Sequence, residues 1–563
     1  MSKEKLTGII LSLAKEVRGD RRGEFLADLL AMLSNAAGAH AAEALPAKDD
    51  LLKSIVALKE SILEREKSIE DGSYWDEEDD GYDAGGYYYS EDYPDLVGDD
   101  QQAEVVGHFQ EADRLFLLGR IKEARAVYSA LFDLVREVSV SGFLPDYDID
   151  LREARARYCR CVYELADVNE RVPDMLAAME VDLPKQDFAS KSSGEYPGLQ
   201  DVIESQPGDL PGFAVFLPAW EKALARKGHS QDRLAELRLE ALSLVGDQAK
   251  IGELARKWHA NQPLGYLYWL QLLSQGEDWC QVKEVAREAL AHLSPGDAKE
   301  QIANFLLTAG QRLGDACLVL DGKREQFMAN ICDANLLALV NEADRQGRRL
   351  EELASVCVML SSLLKKEAKD STRFLLVKAL LMAGELESAF LLFQGARGVA
   401  LSLGNGIGLL FAGILYCMSG KCSDCSLARE QFQQYANQTA VHSNKFLVAG
   451  ENEPTCSGEI RLGLDSCEVP AQDLARYSKW ARGVGDKSIN HIVSSKSRSA
   501  YDQAAGLLCA MAEALAASGQ PGKAQELLRH YYRDRFSRFT AFRREVKKAV
   551  DRSSVLKKLG QVL

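Results

Sequence analysis

A glycine returns at a nearly constant interval through the middle of the chain. The positions are Gly246, Gly276, Gly310, Gly347, Gly384 and Gly420, spaced 30, 34, 37, 37 and 36 residues apart. Each stands between two apolar runs of helical period, as in LRLEALSLVG before DQAKIGELARKW and FLLVKALLMAG before ELESAFLLFQGA. A helix, a tight turn and a second helix, repeated about every 30–40 residues, predict an all-α fold of the α-solenoid type. Arrays of this kind bind through extended surfaces, so the pattern constrains architecture more than chemistry.

Apolar residues make up 46% of the 563, ample for a core. No apolar run approaches the roughly 18 residues of a membrane span, and MSKEKLTGIILSLAKEVRGD carries no signal-peptide pattern. The expectation is a cytoplasmic protein with no membrane partner. Its twelve cysteines are then free thiols. Cys280, Cys332, Cys357 and Cys509 fall inside helical apolar patterns, where they act as small hydrophobes.

The net charge of −16 is unevenly spread. Ser68 to Asp113 holds sixteen acidic residues and no Lys or Arg, whereas Leu527 to Leu563 holds eleven basic residues against three acids. The first of these tracts includes GSYWDEEDDGYDAGGYYYSEDYPDLVGDD (72–100), whose Gly, Pro and like charges oppose helix. It reads as an acidic spacer, or as a stretch whose rings stack on a basic partner surface.

These signals divide the chain as follows. A helical module is expected over 1–70, with amphipathic helices in 4–36 and 49–69, and an acidic Tyr-rich linker over 71–103. Helical hairpins follow over 104–183, then an irregular connection over 184–212. The repeat array covers 213–417, a Cys-containing irregular insertion 418–470, and a C-terminal helical domain with a basic tail 471–563. Within the insertion, SLAREQFQQYAN is expected to be helical.

Gly119, Gly384 and Gly519 are each followed five residues later by alanine: Ala124, Ala389 and Ala524. The second helix of a hairpin packs closely on the first just past the turn, so a small residue is needed there. This spacing, with Tyr128 four residues beyond Ala124, resembles the tetratricopeptide repeat. The Pro at the end of that repeat is missing.

Cys422, Cys425, His442, Cys456 and Cys467 gather in the 418–470 insertion, with Cys417 just before it. Structural zinc takes four soft ligands, usually as two close pairs. Cys422 and Cys425 make one such pair, but Cys456 and Cys467 are too far apart to make the second. Zinc on Cys422, Cys425, Cys456 and Cys467 is therefore weighed against unrelated thiols and against a redox pair, and no cofactor or metal is expected. Cys159 and Cys161 read as core and surface positions of one helix. The phosphate-loop, HExxH and GxSxG patterns do not occur.

In the tail, Arg533, Arg535, Arg538, Arg543, Arg544, Lys547 and Lys548 interleave with Tyr531, Tyr532, Phe536, Phe539 and Phe542. Cations between rings suit nucleic acid, through phosphate neutralisation and base stacking. The competing reading packs the phenylalanines, at helical spacing, on the preceding hairpin and leaves the arginines in water. That second reading is preferred.

Lys496 and Arg498 before Tyr501, the Ala504–Ala505 pair, the Gly519 turn and RDRFSRFTAFRREV resemble the C-terminal helical tail of bacterial SWIM zinc-finger proteins. The finger itself is absent, so no zinc or DNA role follows from the resemblance. In size, acidity and helical character the chain is also similar in outline to the protein substrate cut by the caspase-like peptidase of type III-E CRISPR systems. No motif carries that outline. It implies cleavage in 418–470, around Met418 and Lys421.

The leading expectation is a non-catalytic scaffold or adaptor that holds a protein partner, such as a peptidase or a transcription regulator. The alternatives are a component of a prokaryotic defence or stress system controlled by cleavage, and a nucleic-acid-associated protein using the basic tail.

Overall fold

The computed structural model describes residues 48–71, 97–139, 149–179, 196–206, 208–395, 401, 406–420, 424–438 and 455–559. The helices expected in 4–36, most of the acidic tract, Lys421, Cys422 and His442 lie outside them. The fold is all-α, with no strand among the described residues. None of the helices described is long and apolar enough to cross a membrane. Internal packing separates two units, Met1–Trp269 and Leu270–Leu563.

The first unit contains α1 (Lys48–Asp71), α2 (Asp99–Leu117), α3 (Ile121–Ser139), α4 (Leu151–Leu165), α5 (Arg171–Ala178), α6 (Leu199–Glu204), α7 (Phe213–Lys227), α8 (Asp232–Val245) and α9 (Gln248–Trp258). The helix α10 (Leu264–Gln275) runs across the boundary. One core joins α1 to α4 through Ile55, Phe109, Tyr128 and Phe132, and a second joins α4 to α8 through Tyr163, Phe216 and Trp220. The helix α4 belongs to both. Cys161 faces the first core and Cys159 the second, and both are fully buried, so neither is the surface position expected from the sequence. A helix gripped from two sides buries positions two residues apart, one in each core.

The second unit contains α11 (Trp279–His292), α12 (Asp297–Leu313), α13 (Ala316–Ala329), α14 (Asp333–Arg345), α15 (Arg349–Lys366), α16 (Asp370–Met382), α17 (Leu386–Leu391), α18 (Gly406–Met418), α19 (Ser426–Ala436), α20 (Cys456–Ser466), α21 (Ala471–Ser494), α22 (Tyr501–Ala517), α23 (Pro521–Arg529), α24 (Thr540–Arg552) and α25 (Ser554–Lys558). A single core extends from Leu320 to Leu556. Its axis is α18, GIGLLFAGILYCM, in which every residue but Cys417 is buried. A helix apolar on all sides belongs inside a packed core.

The hairpin turns follow one rule. At Gly119 the glycine N–H donates to Phe116 O and the next N–H, of Arg120, to Leu115 O. Gly246, Gly347, Gly384 and Gly519 repeat this pair of bonds, with φ between +69° and +79°. This is the Schellman closure, which needs a left-handed residue just past the helix. Ala124, Ala389 and Ala524 are fully buried beyond their turns, as their spacing requires. Two of the regularly spaced glycines play other parts. At the Gly276 turn the left-handed residue is Glu277, with φ +56°. Gly310 lies inside α12, and Gly314 makes the turn. Gly310 is instead a contact point, since a Cβ there would be 2.8 Å from Val319 N in α13.

Within 418–470 the structure adds α20 to the expected helix α19. The sequence CSGEIRLGLDS hides it behind two glycines. Gly463 is what lets α20 press on the end of α16, because a Cβ there would collide with the Leu381 carbonyl. The described part of this segment thus contributes two helices packed into the core.

Candidate functional site

The cysteines of the insertion occupy separate places. Cys425 is the buried N-cap residue of α19, Cys456 opens α20 and is buried, and Cys467 follows α20 half-buried. Burial pushes the Cys456 and Cys467 thiols up, which disfavours the thiolate that metal needs. No group of three or more His, Cys, Asp or Glu residues is placed to hold a metal ion among the described residues. Cys280, read as a core cysteine, is exposed near the start of α11.

The tail divides its rings from its cations. Tyr531, Phe536 and Phe542 are buried, and Phe539 packs against the same core. Tyr532 is half-buried under the Arg543 guanidinium, 4.3 Å from its ring centre. Arg533, Arg535, Arg538, Arg544, Lys547 and Lys548 are exposed. Lys548 pairs with Glu545 at 3.0 Å and Arg544 approaches the same carboxylate at 3.5 Å. The rings that base stacking would use are therefore occupied by packing. Their apolar faces follow the helical spacing, interrupted by a π-helical turn at His530–Arg535.

Met418, named as a cleavage position, is the last residue of α18 and only 4% exposed. Its side chain forms part of the floor of a cleft of about 470 Å³ between α18, α21 and the α22–α23 turn. Leu474 and Leu515 complete the floor, and the exposed Ala471 and Ala475 line it with Lys479, Arg482 and Lys523, with no Asp or Glu among the lining residues. Lys479 and Lys523 are exposed. Arg482 has only a long contact of 3.9 Å with Asp486, and Lys523 donates to Gln520 Oε1 at 2.8 Å. A cleft of about 210 Å³ in the first unit differs in charge. It mixes Arg125, Arg136 and Arg155 with Asp133 and Asp174.

Two carboxylates, one buried and one half-buried, act as remote helix caps that the sequence does not reveal. Glu513 in α22 accepts from Ala428 N at 2.8 Å, at the start of α19, and from Ser553 Oγ at 2.6 Å. Ser553 in turn caps α25 by accepting from Leu556 N at 3.1 Å. Glu240 accepts from Leu199 N and Gln200 N, at 2.7 and 2.8 Å, at the start of α6. Burial raises the pKa of both carboxyl groups, and the amide donors partly offset it. For Glu513 the sequence signal is an acidic residue within an apolar run, LLCAMAEALAA; Glu240 stands among other charged residues in DRLAELRLEALSLV and gives none.

No family model matches the chain, and no curated protein matches it. A solved complex, Naa15/Naa10 bound to HypK-THB, aligns over 82% of this chain and 79% of that chain at 12% identity. The TM-score of 0.18 is too low for that likeness to carry an argument.

Proposed function

We propose that the chain is a non-catalytic, cytoplasmic scaffold that holds a protein partner on its helical hairpins. The observation that supports this best is on α15. Leu353, Val356 and Leu360 bury one side of the helix in the core, while Leu350, Ala354 and Val358 form an exposed stripe on another side. Leu350 and Val358 are 66% and 72% exposed. A helix apolar on its outer face as well as its inner one suits contact with a second protein. A peptidase and a transcription regulator are the partner classes raised by the sequence.

The test is capture from native lysate with the full chain, followed by measurement of the purified partner's affinity. The double substitution Leu350→Asp/Val358→Asp should leave the helical spectrum and melting point unchanged and weaken the partner at least tenfold, about 1.4 kcal/mol. Equal affinity of wild type and variant, or capture of nothing specific by either, overturns the reading. The exposed arginines of the tail favour a second reading, nucleic-acid association. It requires binding that falls with Arg533→Glu/Arg535→Glu/Arg538→Glu and with rising salt.

A further inference from the structure

We infer that the cleft between α18, α21 and the α22–α23 turn binds an acidic peptide segment of a partner protein, anchored by one apolar or aromatic side chain. The inference rests on the scaffold reading and assigns it a second surface, distinct from the α15 stripe. Three observations combine. The floor is apolar, made by Met418, Leu474 and Leu515, so a side chain entering the cleft gains from leaving water. The walls carry Lys479, Arg482 and Lys523 with no acidic residue among the lining groups, so the potential inside is positive. The cations are available. Lys479 and Lys523 are exposed, Lys523 is engaged by a neutral amide, and Arg482 meets a carboxylate only at 3.9 Å, that of Asp486.

The adjoining wall reinforces the sign. The helix α23 begins at Pro521 without a side-chain cap, which leaves the positive end of its dipole uncompensated beside Gln520 and Lys523. The other polar lining residues, Ser478, Ser518 and Gln520, are neutral. The volume, about 470 Å³, lies within the range of clefts that enclose a compact ligand group, about 300–1,000 Å³.

The shape selects peptide over polynucleotide. A nucleic acid strand needs a track of cations along successive phosphates and ring faces for its bases. This cleft offers an aliphatic floor with its cations gathered around one concavity. A carboxylate on either side of one buried side chain satisfies that arrangement. Charge complementarity then supplies both register and a fast encounter.

The test uses the full chain and a fluorescein-labelled synthetic peptide of Asp and Glu around a single central Tyr, read by anisotropy. Saturable binding is expected, weakened roughly tenfold by Lys479→Glu/Arg482→Glu. Ala475→Trp should weaken binding similarly by filling the cleft without altering charge. Arg533→Glu/Arg535→Glu/Arg538→Glu, in the tail, should leave it unchanged. Circular dichroism and melting confirm that each variant is folded. The inference is overturned if the cleft variants bind the peptide as well as wild type does. It is equally overturned if a single-stranded oligonucleotide competes through the cleft and binds more tightly than the peptide. Because the α15 stripe is tested on a captured partner and the cleft on a synthetic peptide, failure here leaves the scaffold result standing by itself.

Discussion

Lys378 Nζ lies 2.5 Å from Asp333 Oδ1, and both side chains are completely withdrawn from water. The same ammonium donates to Gln438 O at 2.5 Å and sits 4.7 Å from the centre of the Phe374 ring. One cation thus ties the start of α14, the middle of α16 and the chain just past α19. Attraction between ions in a dry interior offsets their lost hydration only while both are present.

Lys378→Ala should accordingly destabilise the second unit by about 3–5 kcal/mol, because Asp333 is left buried and uncompensated. The double substitution Lys378→Met/Asp333→Leu should recover most of that loss. Urea midpoints of the wild type, the single variant and the double variant check this. A double variant no more stable than the single one would show that the pair is not the source.

Glu513 makes a pH prediction. Its carboxyl group is shifted upward by burial from the ordinary value of 4.5, with Ser553 and the α19 amides opposing the shift. A raised folded pKa means the native state holds the proton longer than the unfolded chain. The stability tied to this proton is then present below about pH 4.5 and is lost as pH rises through the folded value. Glu513→Gln removes that titration. The stability difference, wild type minus variant, should fall as pH increases above about 4.5. A difference that grows with pH would mean that the amide donors outweigh burial.

Two glycine substitutions separate turn from helix. Gly384 has φ +78°, and a Cβ there would be 3.0 Å from Gly463 O of α20. Gly384→Ala should cost about 1–2 kcal/mol from the left-handed backbone alone. Gly522 lies in α23, where a Cβ meets nothing. Gly522→Ala should be neutral or stabilise by up to about 1 kcal/mol. Thermal midpoints moving in the same direction in both would contradict the assigned roles.

Thiol reactivity should rank with burial. Among the described cysteines, Cys280 and Cys317 are exposed, whereas Cys159, Cys161 and Cys509 are buried. Burial pushes Cys161 up to about 12 and Cys509 higher still. Maleimide labelling of the native chain, mapped by mass spectrometry, should modify Cys280 and Cys317 first and Cys509 only on unfolding. Early modification of Cys509 would refute the packing of α22 in the core.

The helical hairpins were legible because two local rules repeat, the left-handed glycine that closes a helix and the alanine five residues later. Where another residue took over the closure, as Glu277 did, the rule displaced the turn by one position. Gly310 shows a second limit. A glycine needed for close helix contact looks in sequence like one needed for a turn. The tail phenylalanines were readable as core from their spacing. Lys378, Glu513 and the Met418 cleft were not readable, because each depends on which helices meet. FLLVKALLM gives no sign that its lysine has a carboxylate partner 45 residues away. CSGEIRLGLDS looks irregular until the α16 carbonyls explain Gly463.

The same core bears on control by cleavage. A protease site inserted between Gln438 and Thr455 would divide the second unit after α19. The resulting C-terminal part would carry α20, whose Gly463 lies against the α16 carbonyls and whose Glu459 pairs with Arg349 of α15. Asp465 would still accept from Tyr416 Oη of α18 at 2.9 Å. Tyr477 of α21 would still donate to Glu387 of α17, and Glu513 of α22 would still cap α19. All these contacts join residues on opposite sides of the cut, and one continuous apolar core underlies them. Cutting one peptide bond removes none of them. The two parts should therefore co-elute in size-exclusion chromatography after complete digestion, and should separate only in denaturant. Glu513→Ala combined with Tyr477→Phe should lower the urea concentration at which they part. Two separate peaks in plain buffer would show that this interface is too weak to hold the cut chain, and would make cleavage alone a sufficient release switch.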